Sequence, residues 1–428
     1  MDRLLILELN EINFEHVLQY GSRVPTLSSL INHHGLSSTI SERRYEELEP
    51  WIQWVTAHTG KPLAEHGVFR LGDIVNHDIP QIWEQLEDRG LKVGAISPMN
   101  AKNRTRDAAF FVPDPWTPAT PTARPLLKKL YAAVAQAVND NAQARLTLAS
   151  AVWLMIGAAA YARPANYRRY LALALGARSS PWAKAMFLDQ LLADVFIRET
   201  RRTGPNFATL FLNAGAHIQH HYMFSSAAYD GPQKNPDWYV PEGVDPVLEV
   251  YRLYDRIVGQ IRATFPDARL MIATGLHQDP HPTLTYYWRL KDHVAFLRRL
   301  DVPFVCVEPR MSRDFLITCA DTDAAARTAA ALASAAADDG VKLFEVDNRG
   351  TDIFAMLTYP GDIGDDFIYT VGNRRFEGLK NDVAFVALKN GQHNGIGYFV
   401  DTGAPKGTHP TQFPLAELPQ KIKAAFAN

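Results

Sequence analysis

The apolar residues of this chain form short continuous runs that alternate with segments of helical spacing. Runs that are short, mostly apolar and rich in Leu, Ile, Val or Phe are typical of buried β-strands. Four such runs are Leu4–Leu9, Leu91–Ile96, Phe207–Leu212 and Ala268–Ala273. They predict the strands of a sheet that is covered by the rest of the chain.

The segments between these runs carry apolar residues at the spacing of a helix. This spacing predicts helices over Pro25–His34, from Pro50 to Gly60, over Ile82–Leu86 and over Val247–Phe265. Pro50 suits the first turn of a helix, and Gly60 suits the position after its end. Because strands and helices alternate, we predict an α/β fold with a doubly wound, mostly parallel sheet.

The order of the segments predicts three parts. Residues 1–118, 203–300 and 380–428 are expected to form the α/β core. Residues 119–202 are rich in alanine and leucine and are expected to form a helical insertion. Residues 301–379 show a β-α-β-β order and are expected to form a small α+β lobe.

The composition is that of an ordinary globular protein, with 428 residues, 47% of them hydrophobic and 21% charged. A net charge of −2 is far from the strongly basic balance of nucleic-acid-binding proteins, so no nucleic-acid partner is expected. Only two cysteines occur, Cys306 and Cys319, which indicates a reducing compartment. The apolar run at the amino terminus is too short for a signal peptide. We therefore predict a cytoplasmic location and leave the oligomeric state open.

Leu146–Ala162 is the most membrane-like segment of the sequence. It is shorter than the roughly 20 apolar residues of a membrane-spanning helix, which favours a buried helix. Arg163, Arg168 and Arg169 follow it, so contact with a membrane surface stays open.

Polar side chains follow the predicted strands at the points where these strands end. Asn213 and His220 follow the third apolar run, and His277 and Asp279 follow the fourth. His393 lies in a turn-like sequence near the carboxyl terminus. Because open α/β sheets bind ligands outside the carboxyl ends of their strands, these side chains predict a metal or substrate site.

The order of these features resembles the alkaline phosphatase superfamily, in particular its nucleotide pyrophosphatase and type I phosphodiesterase branch. The resemblance spans most of the chain and omits the helical insertion. LLILELNE resembles the first strand of that family, and PTLSSL resembles its P-x-L-x-x-L helix. The other matching elements are Thr59-Gly60 with His66-Gly67, AHIQH for D-x-x-x-H, LHQ for D-H-G and Gly391-Gln392-His393 for G-x-H.

The resemblance also shows what this chain lacks. In that family, aspartates and histidines bind two zinc or similar divalent ions, and a threonine or serine is the nucleophile. The family's three metal-binding histidines correspond to His220, His277 and His393, whereas its aspartates correspond to Asn10, Ala216 and Leu276. No hydroxyl stands near Glu49-Pro50, where the nucleophile is expected. Since a divalent pair needs carboxylates, the resemblance implies a single ion, zinc, held by the three histidines and Asp279.

The leading hypothesis is a hydrolase or transferase that acts on a phosphorylated or sulfated small molecule, or on a glycan-like one. A single metal ion would activate water in place of the missing nucleophile. The candidate proton acceptors are Glu49 and Glu8. The candidate substrate contacts are Asn10, Asn213, Trp54 and Arg313.

Two alternatives stay open. In the first, the chain is a catalytically silent relative, without a metal ion, that binds a phosphate- or glycan-bearing ligand or a partner protein. In the other, the scaffold serves transfer chemistry in cell-surface polysaccharide assembly, and Leu146–Ala162 touches the membrane.

Overall fold

The fold is seen in a computed structural model that describes residues 3–139, 147–310 and 313–427. The strands, numbered in chain order, are β1 Leu4–Leu9, β2 Ser37–Ile40, β3 Val93–Ile96, β4 Phe110–Val112, β5 Phe207–Leu212, β6 Arg269–Ala273, β7 His277–Leu290, β8 Cys306–Pro309, β9 Asp314–Thr318, β10 Ala336–Ala337, β11 Phe344–Arg349, β12 Asp352–Leu357, β13 Ile368–Val371, β14 Arg374–Glu377, β15 Val383–Asn394, β16 Ile396–Asp401 and β17 Gln412–Pro414.

Helices separate most of these strands. They are α1 Phe14–Tyr20, α2 Pro25–His34, α3 Pro50–Thr59, α4 Leu63–His66, α5 Ile82–Glu87, α6 Pro125–Asn139, α7 Leu148–Tyr161, α8 Tyr167–Gly176, α9 Ala183–Thr203, α10 Ala214–Tyr222, α11 Pro246–Thr264, α12 His293–Leu300, α13 Thr322–Ser334, α14 Leu379–Asp382 and α15 Leu418–Ala424.

The described residues divide into two compact units. The first comprises Met1–Pro232, Pro236–Pro280 and Gly391–Asn428, and the second comprises Gln233–Asn235 and His281–Asn390. The residues 301–379 lie within the second unit.

The first unit is built on an eight-stranded sheet in the order β17-β2-β16-β6-β1-β5-β3-β4. β1 pairs in parallel with β5 and β6, and β3 pairs in parallel with β4 and β5. β16 runs antiparallel to both of its neighbours, β2 and β6. The sheet is therefore mostly parallel, as predicted.

Helices cover both faces of this sheet. Leu5, Leu7 and Leu9 of β1 belong to a hydrophobic cluster that includes residues of α2, α9 and α11. Leu4 and Ile6 point to the opposite face and belong to a cluster with residues of α3 and α5. Because successive side chains of a strand alternate between faces, β1 serves both clusters. This confirms the doubly wound arrangement.

A helical insertion precedes β5 and consists of α6, α7, α8 and α9. A Cβ atom added to Gly157 of α7 would lie 2.5 Å from Leu130 of α6, so these two helices pack closely. Leu146, the first residue of the predicted membrane-like segment, lies outside the described residues. Among the helices that are described, none combines the length and the apolar character needed to cross a membrane.

The second unit is a small α+β lobe. Its sheets are four-stranded, in the order β11-β12-β9-β8, and three-stranded, in the order β10-β13-β14. Both are antiparallel. A core of its own includes Phe315, Ile353 and Leu332. The lobe that the fold class predicted is therefore confirmed.

One predicted local structure is wrong. The sequence from Asn390 to Gly395 was expected to be a turn because it is rich in Asn and Gly. Instead β15 continues to Asn394 and pairs with β7. Pairing with a strand that is distant in the sequence satisfies backbone polar groups, and this overrides the turn-forming composition.

Candidate functional site

The site begins two residues after β1, at Glu11. The backbone of Glu11 has a φ of 59°, a conformation that side-chain-bearing residues rarely adopt. Its N–H donates to the Thr274 carbonyl at 3.1 Å, and its own carbonyl accepts from Gln219 Nε2 at 2.7 Å. Contacts on both sides therefore hold this strained residue in place.

The Glu11 carboxylate meets two histidines. Glu11 Oε2 lies 3.1 Å from His220 Nε2 and 3.2 Å from His393 Nε2. The two Nε2 atoms are 3.2 Å from each other. We call these three residues the Glu11 group; it is the one metal-competent group of His, Cys, Asp or Glu among the described residues. His220 lies on α10 directly after β5, and His393 lies near the end of β15.

The donor atoms of the Glu11 group fit a single divalent ion. Tetrahedral zinc with ligands at about 2.0–2.1 Å holds neighbouring donor atoms about 3.3–3.4 Å apart. The three separations in the Glu11 group are 3.1, 3.2 and 3.2 Å. Two imidazole nitrogens and one carboxylate oxygen form a donor set that zinc accepts, with a fourth position open.

Charge couples the members of this group. Burial alone would raise the pKa of Glu11, but the charges of His393 and His220 hold that pKa well below its ordinary value. Burial alone would lower the pKa of His393, but the carboxylates of Glu11 and Glu49 raise it above its ordinary value. The metal-free group therefore favours a carboxylate beside a protonated histidine.

Two amides complete the hydrogen bonding of Glu11. Gln278 Nε2 donates to Glu11 Oε2 at 2.5 Å and to the Ala216 carbonyl at 3.0 Å. Asn10 Nδ2 donates to Glu11 Oε1 at 3.0 Å. At Ala216, where the resemblance expects a metal-binding aspartate, the backbone thus accepts a hydrogen bond from the amide that orients Glu11.

Three residues predicted to contact substrate form one chain of hydrogen bonds next to this group. Trp54 Nε1 donates to Asn10 Oδ1 at 2.7 Å, and Asn10 Nδ2 donates to Asn213 Oδ1 at 2.8 Å. Trp54 and Asn10 are fully buried, whereas Asn213 is half-buried. Burial suits Trp54 and Asn10 to positioning, and leaves Asn213 as the member that a ligand can reach.

The predicted ligands His277 and Asp279 lie outside the Glu11 group and pair with each other. His277 Nε2 is 3.1 Å from Asp279 Oδ1, and His277 Nδ1 is 2.6 Å from the Ile396 carbonyl. Asp279 Oδ2 accepts from Asn394 Nδ2 at 2.7 Å. The bond from His277 lowers the pKa of Asp279. Both ring nitrogens of His277 are thus engaged away from Glu11.

The two predicted proton acceptors have different surroundings. Glu49 precedes α3, its side chain is 35% exposed, and its Oε2 lies 3.8 Å from His393 Nδ1. Glu8 is buried and accepts from Thr209 Oγ1 at 2.6 Å, with His58 Nε2 at 3.1 Å. Glu8 lies on the sheet face of Leu4 and Ile6, where its carboxylate contacts Thr209 and His58. Of the two predicted proton acceptors, Glu49 is the one with a contact to the Glu11 group.

Arg313, the remaining predicted substrate contact, belongs to the second unit. Its guanidinium lies over the ring of Tyr287 at 3.8 Å and donates to the Leu357 carbonyl at 3.3 Å. Burial lowers its pKa. These contacts suit a side chain that stabilises the lobe.

Glu11 and Gln278 are the residues that the sequence did not single out. Glu11 stands directly after the first strand, a position that signals a site residue in open α/β sheets. Its side chain reaches the site because its backbone is left-handed. A sequence indicates that conformation only where Gly, Asn or Asp stands, so Glu gave no signal of it. Gln278 offers no comparable signal.

Comparisons with solved structures find similar chains over 99% of this one. Phosphonoacetate hydrolase from Sinorhizobium meliloti 1021, in complex with phosphonoacetate, is 12% identical over 96% of its chain, with a TM-score of 0.44. Human ectonucleotide pyrophosphatase/phosphodiesterase 5 is 10% identical over 94% of its chain, with a TM-score of 0.44. The murine protein in complex with AMP is 10% identical over 94% of its chain, with a TM-score of 0.41.

No protein-family model and no curated protein matches the chain. The human and murine proteins carry the name of the branch that the sequence motifs resemble. At these identities and TM-scores, the similarity assigns no substrate, metal ion or residue role to this chain.

Proposed function

We propose that this chain is a metal-dependent hydrolase or transferase that acts on a phosphorylated or sulfated small molecule. The observation that carries the proposal is the convergence of Glu11 Oε2, His220 Nε2 and His393 Nε2 within 3.2 Å of one another. A divalent ion, zinc by its donor set, would be held by these three residues. Such an ion supplies Lewis acidity, which activates water and stabilises charge that develops on a phosphoryl or sulfuryl oxygen.

Proton transfer, substrate binding and orientation of the Glu11 carboxylate are assigned to different residues of the chain. Glu49 accepts a proton, because its partly exposed carboxylate borders His393 at 3.8 Å. Asn213 binds a substrate oxygen, because it is the accessible end of the chain of amides that starts at Trp54. Gln278 and Asn10 hold the Glu11 carboxylate in one orientation.

The charge of the site supports an anionic substrate. The positions that correspond to the family's metal-binding aspartates hold Asn10, Ala216 and Leu276, none of which is charged. Fewer carboxylates mean less repulsion of a phosphate or sulfate group. In the metal-free state the carboxylates of Glu11 and Glu49 raise the pKa of His393, which favours its positively charged form and so the binding of an anion.

A second function is favoured by a specific observation. The Glu11 carboxylate already meets four nitrogen atoms, from Asn10, Gln278, His220 and His393. That set satisfies a buried carboxylate without an ion. A catalytically silent protein that binds a phosphate- or glycan-bearing ligand, or a partner protein, is therefore the alternative proposal.

Metal analysis combined with an activity panel separates the two proposals. The purified chain, His220→Ala and Glu11→Gln would be analysed for bound metal and assayed on phosphomonoesters, phosphodiesters, phosphonates and sulfate esters, with and without chelator. The enzyme proposal expects one ion per chain, lost in both variants, and chelator-sensitive turnover. Turnover that persists in Glu11→Gln and in chelator would contradict it, and absence of both metal and turnover would support the binding protein.

We propose the cytoplasm as the location of this activity. Cys306 and Cys319 are both free thiols, and Cys306 is exposed. Exposed thiols persist in a reducing compartment.

A further inference from the structure

Helix α7 presents an apolar face to solvent. Its exposed residues follow helical spacing, and every one of them is apolar: Leu148, Ala149, Val152, Met155, Ile156 and Ala159. Leu148 is 83% exposed and Met155 is 65% exposed. An ordinary surface helix carries polar residues on its outer face. The exposed face of α7 is therefore apolar where an ordinary solvent-facing helix is polar.

Helix α8 also carries exposed apolar residues. Tyr167, Leu171 and Leu175 are spaced four apart and so form one stripe along the helix. Leu171 is 61% exposed and Leu175 is 70% exposed. We call the exposed apolar residues of α7 and α8 the insertion face.

The internal packing of the insertion does not use these side chains. α7 contacts α6 through its opposite side, where Gly157 approaches Leu130 and where Ser150 and Tyr161 are buried. Single exposed apolar side chains are common on protein surfaces, whereas groups of them mark interaction sites. The insertion face therefore has the character of an interaction site.

The charges around the insertion face are basic. Residues 119–203 contain twelve Lys and Arg and four Asp and Glu. The three acidic residues that the structure describes there, Asp189, Asp194 and Glu199, are all buried. By contrast, Arg168 on α8 and Arg178, two residues after the end of α8, are both exposed. The described surface of this segment thus offers apolar groups and positive charge without exposed carboxylates.

We propose that the insertion face binds the surface of a membrane that contains anionic lipids. Apolar side chains enter the boundary between headgroups and acyl chains, and basic side chains pair with lipid phosphates. α7 has 14 residues and so spans about 21 Å, which is less than a bilayer core. It therefore lies along the surface.

Charge also decides between a membrane and a second copy of this chain. Two insertion faces in contact would bring the basic residues of both copies, among them Arg168 and Arg178, to one interface. Like charges at such an interface repel, whereas an anionic lipid surface attracts them. The proposal is independent of the Glu11 group.

Vesicle co-sedimentation of the full chain tests the proposal. The expected result is binding to vesicles of phosphatidylcholine mixed with phosphatidylglycerol, and weaker binding to phosphatidylcholine alone or at high salt. The double variant Met155→Glu/Leu171→Glu should bind at least about tenfold more weakly, because two apolar side chains that would be buried in the lipid are replaced by charged ones. Leu18→Glu/Val305→Glu is the matched control, since it adds the same charge at other exposed apolar positions.

A second pair of variants separates charge from apolar contact. Arg168→Gln/Arg178→Gln should reduce the preference for phosphatidylglycerol and leave the fold unchanged. Circular dichroism would verify folding of every variant. Absence of vesicle binding by the wild-type chain, or equal binding by Met155→Glu/Leu171→Glu and its control, would overturn the proposal. So would a wild-type dimer in sedimentation velocity that the same variant converts to a monomer without any vesicle binding.

Discussion

Glu11 Oε2 lies 3.1 Å from His220 Nε2, although the two residues follow different strands. β1 and β5 pair in parallel, so their carboxyl ends meet at one edge of the sheet. This edge is where open α/β sheets bind ligands. The pair is therefore placed by the fold itself, and His393 joins it from β15.

The metal-free protein should lose stability as the pH rises above 6.5. The pKa of His393 is raised in the folded state, so its contribution is fully present below its ordinary value of 6.5 and is lost as the pH rises through the raised value. The pKa of Glu11 is lowered, so its contribution is present above its ordinary value of 4.5 and is lost on acidification. Thermal unfolding in chelator should show a midpoint that falls as the pH rises above 6.5. His393→Gln should flatten this fall; an unchanged slope would contradict the assigned pair.

Gly391→Ala should disturb the Glu11 group through Gln278. A Cβ atom at this position would collide with Gln278 Oε1 and would lie 3.0 Å from the Gln219 carbonyl. We expect a loss of about 1–3 kcal/mol in the free energy of unfolding, and weaker metal binding. Denaturant unfolding and calorimetric titration with zinc measure the two effects.

Gly176→Ala is the control for that substitution. Its nearest neighbour outside the helix, Ala183 Cβ, would lie at an ordinary 4.0 Å. It should leave zinc binding unchanged and stabilise the protein by up to about 1 kcal/mol. Equal metal affinity in both variants would argue against a role for Gln278.

Trp54→Phe should destabilise the protein, because the buried side-chain amide of Asn10 loses its hydrogen bond from the indole. The substitution removes the donor to Asn10 Oδ1 while keeping most of the ring. A buried acceptor without its donor costs about 1–3 kcal/mol in unfolding free energy. Trp51→Phe removes a bond to the Phe69 carbonyl from a half-buried indole, and should cost less than about 1 kcal/mol. Similar losses of unfolding free energy in the two variants would contradict the special role of the Trp54 hydrogen bond.

Ala216→Asp should restore a carboxylate one helical turn before His220. Ala216 is buried, so the new carboxylate destabilises the metal-free protein. With zinc present it gains a counter-charge, and we expect zinc affinity to rise by about tenfold. The zinc-induced rise in melting temperature should therefore exceed that of the wild type. Ala216→Asn, which has the same shape without the charge, should not show this gain.

Much of the fold was predictable from the sequence, because short apolar runs and helical spacing report burial directly. α2 and α3 begin at Pro25 and Pro50, and the sequence predicted both of them. Pro at the first turn and Gly after the end are local signals, so they survive without knowledge of the tertiary structure. The strand structure from Asn390 to Asn394 in β15 was missed because strand pairing depends on a distant partner.

The site was predictable only in part. His220 and His393 follow recognisable elements, whereas Glu11 depends on a strained φ that Thr274 and Gln219 hold from elsewhere in the chain. His277 has the right position in the sequence, but its nitrogens face Asp279 and the Ile396 carbonyl. Side-chain direction follows from tertiary contacts, which one sequence does not display.

Anomalous X-ray diffraction at the zinc edge, from crystals grown with zinc, tests the central claim most directly. The account predicts one strong peak about 2.0–2.2 Å from Glu11 Oε2, His220 Nε2 and His393 Nε2. Crystals of Glu11→Gln should lose most of that peak. No peak at the Glu11 group, or a peak between His277 and Asp279 instead, would contradict the account.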